Sequence, residues 1–206
     1  MNMSLYLIRH AQITYPGQND SEVCHGQVDT GFSAPINRQT LAKALRKGKP
    51  DCIVSSDLLR CRLLAEELAR DSGIQVEFDP RWRELDFGNW ENRSWSEIRK
   101  EDPLEFECWV KDFVHEAPHG GESFFALQRR VSQTMEEYRN MGHVLVITHA
   151  GPIRAALCFS LGLPLARAFE LAVPFESGWF FELKDKSWQL VSPDLNHSIA
   201  NREVVV

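Results

Sequence analysis

Ser4-Leu5-Tyr6-Leu7-Ile8-Arg9-His10-Ala11 is the stretch on which the fold turns. Leu5 to Ile8 form an unbroken apolar run, the pattern of a parallel strand buried on both faces. The run stops at a cation and an imidazole. In open α/β sheets ligands bind outside the carboxyl ends of the strands, which is where Arg9 and His10 would stand. An arginine there forks two hydrogen bonds onto a phosphate or carboxylate, and a histidine acts as base, ligand or nucleophile.

The same design returns at Val144-Leu145-Val146-Ile147-Thr148-His149-Ala150-Gly151-Pro152, an apolar strand that delivers a second histidine. Gly151 and Pro152 open the next helix, whose free N–H groups favour an anion. Between the two lies a strand-helix-strand pattern, read as Cys52–Ser55, a helix from Leu58 to Gly73 capped by Ser56 or Asp57, and Ile74–Phe78. It implies a parallel sheet. Arg60 falls in the first turn of that helix, near the rim, whereas Arg62 points elsewhere.

The connecting segments are less regular. Gln12 to Gly31 reads as a long loop in which His25 is a solvated histidine. A helix follows with Ser33 as N-cap, Pro35 in its first turn, Leu41, Ala44 and Leu45 on its apolar stripe, and Gly48 and Pro50 at its end. Arg81 to Glu91, dense in aromatics and charge, suits a pocket wall better than a regular element. Short helices at Ser94–Glu101 and Leu104–Phe113 and a loop from Glu116 to Gly121 read as an insertion capping the sheet, with Trp95, Phe106, Trp109 and Phe113 as its core. Glu122 to Met141 is a long amphipathic helix closed by Gly142. Leu171–Val173, Gly178–Leu183 and Trp188–Val191 read as strands, the last two a hairpin through Asp185-Lys186.

The composition is that of an ordinary globular chain. Its 206 residues suffice for a single α/β domain with a cap insertion at about 90–121. Hydrophobic residues make up 43% and charged residues 25%, and the net charge of −6 argues against a protein that coats nucleic acid or acidic membrane. No apolar run is long enough to span a bilayer. Cys24, Cys52, Cys61, Cys108 and Cys158 are odd in number and lack metal-ligand spacing, which reads as reduced thiols in a cytoplasmic protein.

Two strands that end in histidines, a helix start carrying an arginine, and a glutamate in an aromatic segment share one explanation: a phosphate pocket with a histidine nucleophile. Phosphoryl transfer is chiefly positioning and charge stabilisation, so arginines and a second imidazole belong around the equatorial oxygens. A carboxyl group beside the ester oxygen protonates the leaving alcohol and then deprotonates the attacking water.

On these residues the chain resembles the histidine phosphatase superfamily, the phosphoglycerate-mutase-like or "RHG" proteins. Leu7 to His10 match the opening motif, Ser55 to Arg60 the second, and Glu84 to Glu91 the pattern E-x-x-F-G-x-W-E. Pro118 to Ser123 resembles the G-G-E-S segment, and Ile147 to Arg154 the S/T-H-x-G-x-x-R segment. The resemblance implies a three-layer α/β/α sandwich with a mostly parallel central sheet and a small helical cap. It implies that His10 takes the phosphoryl group as a phosphohistidine, that Arg9, Arg60 and His149 hold its oxygens, and that Glu84 is general acid and then base. No metal or other cofactor is implied.

Several positions depart from the family pattern. Ala11 replaces the glycine of "RHG", which a methyl tolerates where the backbone is not at positive φ. Gln12, Ile13 and Pro16 stand where Glu, Thr and Asn are usual, Ile36 where a helix-start glycine is common, and Asn92 where the last residue of W-E-G belongs. The short cap resembles that of the phosphomonoesterase branch, including α-ribazole-phosphate phosphatases of cobalamin synthesis. The first expectation is a phosphatase acting on α-ribazole 5'-phosphate. The others are a sugar-phosphate or phosphoglycerate phosphatase or mutase, and a non-catalytic module that binds phosphorylated ligands. The expected partner is a small phosphomonoester, with neither nucleic acid nor membrane, and with a homodimer through the C-terminal strands left open.

Overall fold

The structure is a computed structural model that describes residues 3–14, 22–29, 32–33 and 37–194. Its strands are β1 (Ser4–Arg9), β2 (Ile13–Thr14), β3 (Phe32–Ser33), β4 (Cys52–Ser55), β5 (Val76–Phe78), β6 (His143–Thr148), β7 (Gly178–Lys184) and β8 (Ser187–Asp194). Its α-helices are α1 (Arg38–Gly48), α2 (Leu59–Ser72), α3 (Trp95–Glu101), α4 (Pro103–Lys111), α5 (Phe124–Glu137) and α6 (Ala150–Leu161).

Six strands form one sheet in the order β5-β4-β6-β1-β7-β8. The first four run parallel, and β7 and β8 are antiparallel additions beside β1. Side-chain parity explains the three layers. Leu5, Leu7, Val54, Val144 and Val146 bury with α5 and α6 on one face, through Val131, Met135, Ile153 and Ala156. Tyr6, Ile8, Ile53, Leu145 and Ile147 bury with α1 and α2 on the other, through Ala44, Leu64 and Leu68. A strand covered on both faces must be apolar throughout, and each such leucine or valine contributes about 1.5–3 kcal/mol. A third cluster, Cys24, Trp90 and Ile98 with Trp95, Phe106 and Trp109 against it, lies under α3 and α4.

The pairing of β1 with β6 decides where the site lies. Arg9 is in register with Thr148, and the His10 amide donates to the Thr148 carbonyl at 3.0 Å. The two histidines that follow these strands are therefore forced together. β4 flanks β6 on its other side and feeds α2, and with it Arg60, to the same end of the sheet.

Several expected boundaries are corrected. Ser33 does not cap α1: it pairs with Ile13 across β2 and β3, and the Asn37 side chain caps the helix by accepting from the Gln39 amide. Pro35 and Ile36, like Pro16, Gly31 and the tail beyond Asp194, lie outside the described residues. Neither Ser56 nor Asp57 is the N-cap of α2, which begins after Leu58; the carboxylate of Asp57 is taken by Arg83. β5 starts at Val76, two residues later than read. Helix α5 runs only from Phe124, capped by Ser123, to Glu137, and a 3-10 turn at Tyr138–Asn140 completes the stretch. Leu171–Val173 is not a strand, because its carbonyls turn to side chains: Leu171 accepts from Arg154 and Val173 from Arg9. The β7–β8 hairpin turns at Asp185 and Lys186, whose φ values of 49° and 63° match the expected two-residue turn.

Candidate active site

A cavity of about 410 Å³ opens at the carboxyl ends of β1, β4 and β6. It brings together Arg9, His10, Arg60 and Glu84, and it also takes in His25 and Arg154. His149 lies directly behind, its ring centroid 5.0 Å from that of His10 in an edge-on contact.

His10 is 3% exposed, and its Nδ1 is 2.7 Å from the carbonyl oxygen of Ala11. A carbonyl only accepts, so Nδ1 carries the proton and Nε2 keeps its lone pair. Burial holds the imidazole well below its usual pKa, and the charges of Arg60 and Arg9 lower it further. The ring is thus a neutral base or nucleophile at pH 7. Ala11, the residue that orients it, does not have positive φ, which is why alanine stands there without strain.

Arg60 is fixed at three points. Its Nε donates to His149 Nδ1 at 3.1 Å, Nη1 to the Val28 carbonyl at 3.0 Å, and Nη2 to the Gly26 carbonyl at 2.5 Å. Since His149 Nδ1 accepts, Nε2 holds the hydrogen and donates to Ser56 Oγ at 2.9 Å. Burial, Arg60 and His10 keep this second ring neutral as well. Arg9 stacks on Phe175, 3.6 Å from the ring centroid, and donates to the Val173 carbonyl. Arg62, as expected, turns away and pairs with Glu66 on the surface.

Glu84 is presented by an irregular segment that contains two 3-10 turns, Pro80–Trp82 and Gly88–Trp90. Arg130 of α5 braces it, donating to the carbonyls of Arg81, Arg83 and Glu84, and Thr148 Oγ1 donates to the Trp82 carbonyl. The carboxylate Oε1 accepts from the Gly151 amide at 2.8 Å and from Leu85 at 2.9 Å. Gly151 lies in the first turn of α6, so the helix start that sequence reading offered to an anion serves Glu84. A side chain at Gly151 would collide with that oxygen.

His25 is corrected: it lines the cavity instead of standing in solvent. Its loop is pinned to the aromatic segment. Glu91 accepts from the Gln27 amide at 2.6 Å, and the Asn92 amide donates to the Cys24 carbonyl. Gly26 has φ +48° and packs on the Glu91 carboxylate, where any Cβ would clash. Trp95 belongs both to the cap cluster, stacked on Trp109, and to the cavity wall, so its reading as cap core alone is incomplete. Phe87, Phe124, Phe169 and Phe175 complete an apolar side. Sequence reading assigned no role to Arg130, Arg154 or Phe175; the arginine spacing in the last motif was the one available signal. Among the described residues no group of three or more His, Cys, Asp or Glu is placed to hold a metal ion.

Known proteins resemble this chain in sequence and in fold. Over 208 residues the chain is 26% identical to the adenosylcobalamin/alpha-ribazole phosphatase of Escherichia coli K12, covering 98% of this chain and 95% of that one. It is 34% identical over 173 residues to a glucosyl-3-phosphoglycerate phosphatase of Mycolicibacterium vanbaalenii, covering 78% and 75%. The native structure of a mycobacterial glucosyl-3-phosphoglycerate phosphatase superposes with a TM-score of 0.77 at 28% identity, over 95% of this chain and all of the other. The family model "Histidine phosphatase superfamily (branch 1)" matches residues 5–195. With its α/β fold and its paired histidines at neighbouring strand ends, the chain belongs to the histidine phosphatase superfamily, branch 1.

Proposed function

We propose that this protein is a phosphatase that hydrolyses a small organic phosphomonoester through a phosphohistidine on His10. The observation that carries the reading is the Nδ1–H bond from His10 to the Ala11 carbonyl, which leaves the Nε2 lone pair to a cavity shared with three arginines and a carboxylate. Nε2 attacks phosphorus, and the P–O bond to the alcohol breaks. The departing oxygen takes a proton from Glu84. Because Oε1 already accepts two amide N–H groups, that proton resides on Oε2. Glu84, now ionised, removes a proton from water as the water attacks the phosphohistidine, and inorganic phosphate leaves.

Arg9 and Arg60 compensate the charge of the equatorial oxygens, so the chemistry needs no metal. His149 sets the plane of Arg60 through Nδ1, and a phosphate oxygen competes with Ser56 for its Nε2 hydrogen. The segment around residues 90–121 acts as the cap of a single domain. The five cysteines are all free, which fits a cytoplasmic setting.

Two alcohol halves suit the cavity. α-Ribazole 5'-phosphate, named by the E. coli relative, would lay a flat ring on the aromatic side. A phosphorylated carboxylic acid, the class to which the glucosyl-3-phosphoglycerate named by the mycobacterial relatives belongs, is favoured by the guanidinium of Arg154. The test is inorganic phosphate release, with a chelator present, from a panel of α-ribazole phosphate, 3-phosphoglycerate, sugar phosphates and a nucleotide. Chelator-resistant turnover with one clear preference supports the reading. Silence from folded protein rejects it in favour of a phospholigand-binding module.

A further inference from the structure

The cavity holds three arginines, and each is anchored by main-chain carbonyls: Arg60 by Gly26 and Val28, Arg9 by Val173, and Arg154 by Leu171. Arg154 differs in what the rest of its guanidinium does. Its Nε donates to the Leu171 carbonyl at 3.0 Å, and its plane lies over Phe169, 5.2 Å from the ring centroid. Among the described residues its two terminal nitrogens meet no hydrogen-bond acceptor and no carboxylate ion pair. A half-buried cation left in this state is costly, since its hydration is reduced and no acceptor among the described residues replaces it. The residue lines the cavity, and four N–H donors remain on its terminal nitrogens.

The position of Arg154 separates it from the phosphate end. Arg154 lies one turn along α6 from Gly151, whose amide holds the Glu84 carboxylate, and so lines the cavity on the side of the group that protonates the departing alcohol. Leu171 and Val173 anchor Arg154 and Arg9 from carbonyls two residues apart, at most about 7 Å of chain. The two guanidinium groups are thereby held from neighbouring points of one segment at the wall of the same cavity.

We propose that Arg154 is a specificity-determining residue, whose terminal nitrogens bind a carboxylate carried by the alcohol half of the substrate. The assignment rests on the phosphatase reading above and chooses between its two substrate classes. An uncharged alcohol would bury Arg154 further and supply no anionic acceptor for its terminal nitrogens. A carboxylate supplies a forked pair of charge-assisted hydrogen bonds.

The test uses 3-phosphoglycerate and glycerol 3-phosphate, which differ in a carboxylate against a hydroxymethyl group, with 4-nitrophenyl phosphate as a third ester. The wild type should prefer the acid, by kcat/KM, by about tenfold or more. In Arg154→Met that preference should fall by about tenfold, chiefly through KM, with Arg154→Lys retaining part of it. An unchanged ratio in a folded Arg154→Met, whether both rates drop together or neither does, overturns the assignment. So does a wild type that hydrolyses 4-nitrophenyl phosphate yet shows no preference for the acid. A folded wild type silent on all three esters instead overturns the phosphatase reading itself.

Discussion

At the residue scale the informative positions are those where the chain departs from its family's usual residue. Asn92 stands where glycine is expected, and the structure gives the reason such a residue is needed: its φ is +64°. Asparagine visits the left-handed region more readily than other side chains, so the turn survives and its amide still reaches Cys24. Asn92→Ala should therefore lose about 1 kcal/mol in urea denaturation, while Asn92→Gly loses nothing or gains. Equal losses for both would show that the side chain and not the backbone matters. His10, Arg9 and Arg60 were legible as residues of one cavity from their recurrence at strand and helix ends, and Glu84 from the E-x-x-F-G-x-W-E pattern that it opens. The tautomer of His10 was not, since it depends on where one carbonyl points.

At the scale of elements, the alternation of apolar residues and the two strand-to-histidine endings disclosed the parallel core. Errors fell where a side chain or carbonyl had two uses. Asp57 could cap a helix or meet Arg83, and the ion pair won. The carbonyls of Leu171 and Val173 could join a sheet or hold arginines, and they hold arginines. Local patterns cannot weigh such long-range alternatives. The start of α6 shows the functional side of this. Its Gly151 amide orients Glu84, and the space beside that glycine is filled by the carboxylate. Gly151→Ala should displace Glu84 and lower kcat by about 100-fold, the scale of a general acid, with the fold retained. An unchanged kcat would remove Glu84 from the role proposed for it.

At the scale of the whole molecule, burying two neutral imidazoles couples folding to pH. His10 and His149 are 3% and 0% exposed, and both have pKa values held well below the ordinary imidazole value, first by burial and then by Arg60. In the unfolded chain each ring takes up a proton below about pH 6.5, whereas in the folded chain neither does. Unfolding thus binds protons, and stability falls as pH drops below that value, by about 1.4 kcal/mol per pH unit for each ring. Denaturation midpoints between about pH 7 and 5.5 should shift steeply downward, before the carboxylates of Asp57 and Asp79, held low by Arg83 and Arg81, begin to protonate. A flat profile over that range would mean that the rings charge freely in the folded state. The same neutrality keeps the nucleophile available in mild acid.

The central claim is that His10 carries the phosphoryl group, and the most direct test is to trap it. A labelled phosphomonoester from the panel would be mixed with excess enzyme, quenched within a turnover in alkali, and the protein mapped by mass spectrometry. The account predicts an acid-labile, alkali-stable phosphoryl group on His10 of the wild type. It predicts none on His10→Ala, whose turnover falls by about 10³-fold or more. Rapid hydrolysis with no phosphorylated His10 at any quench time, or an His10→Ala enzyme that retains its rate, would contradict it.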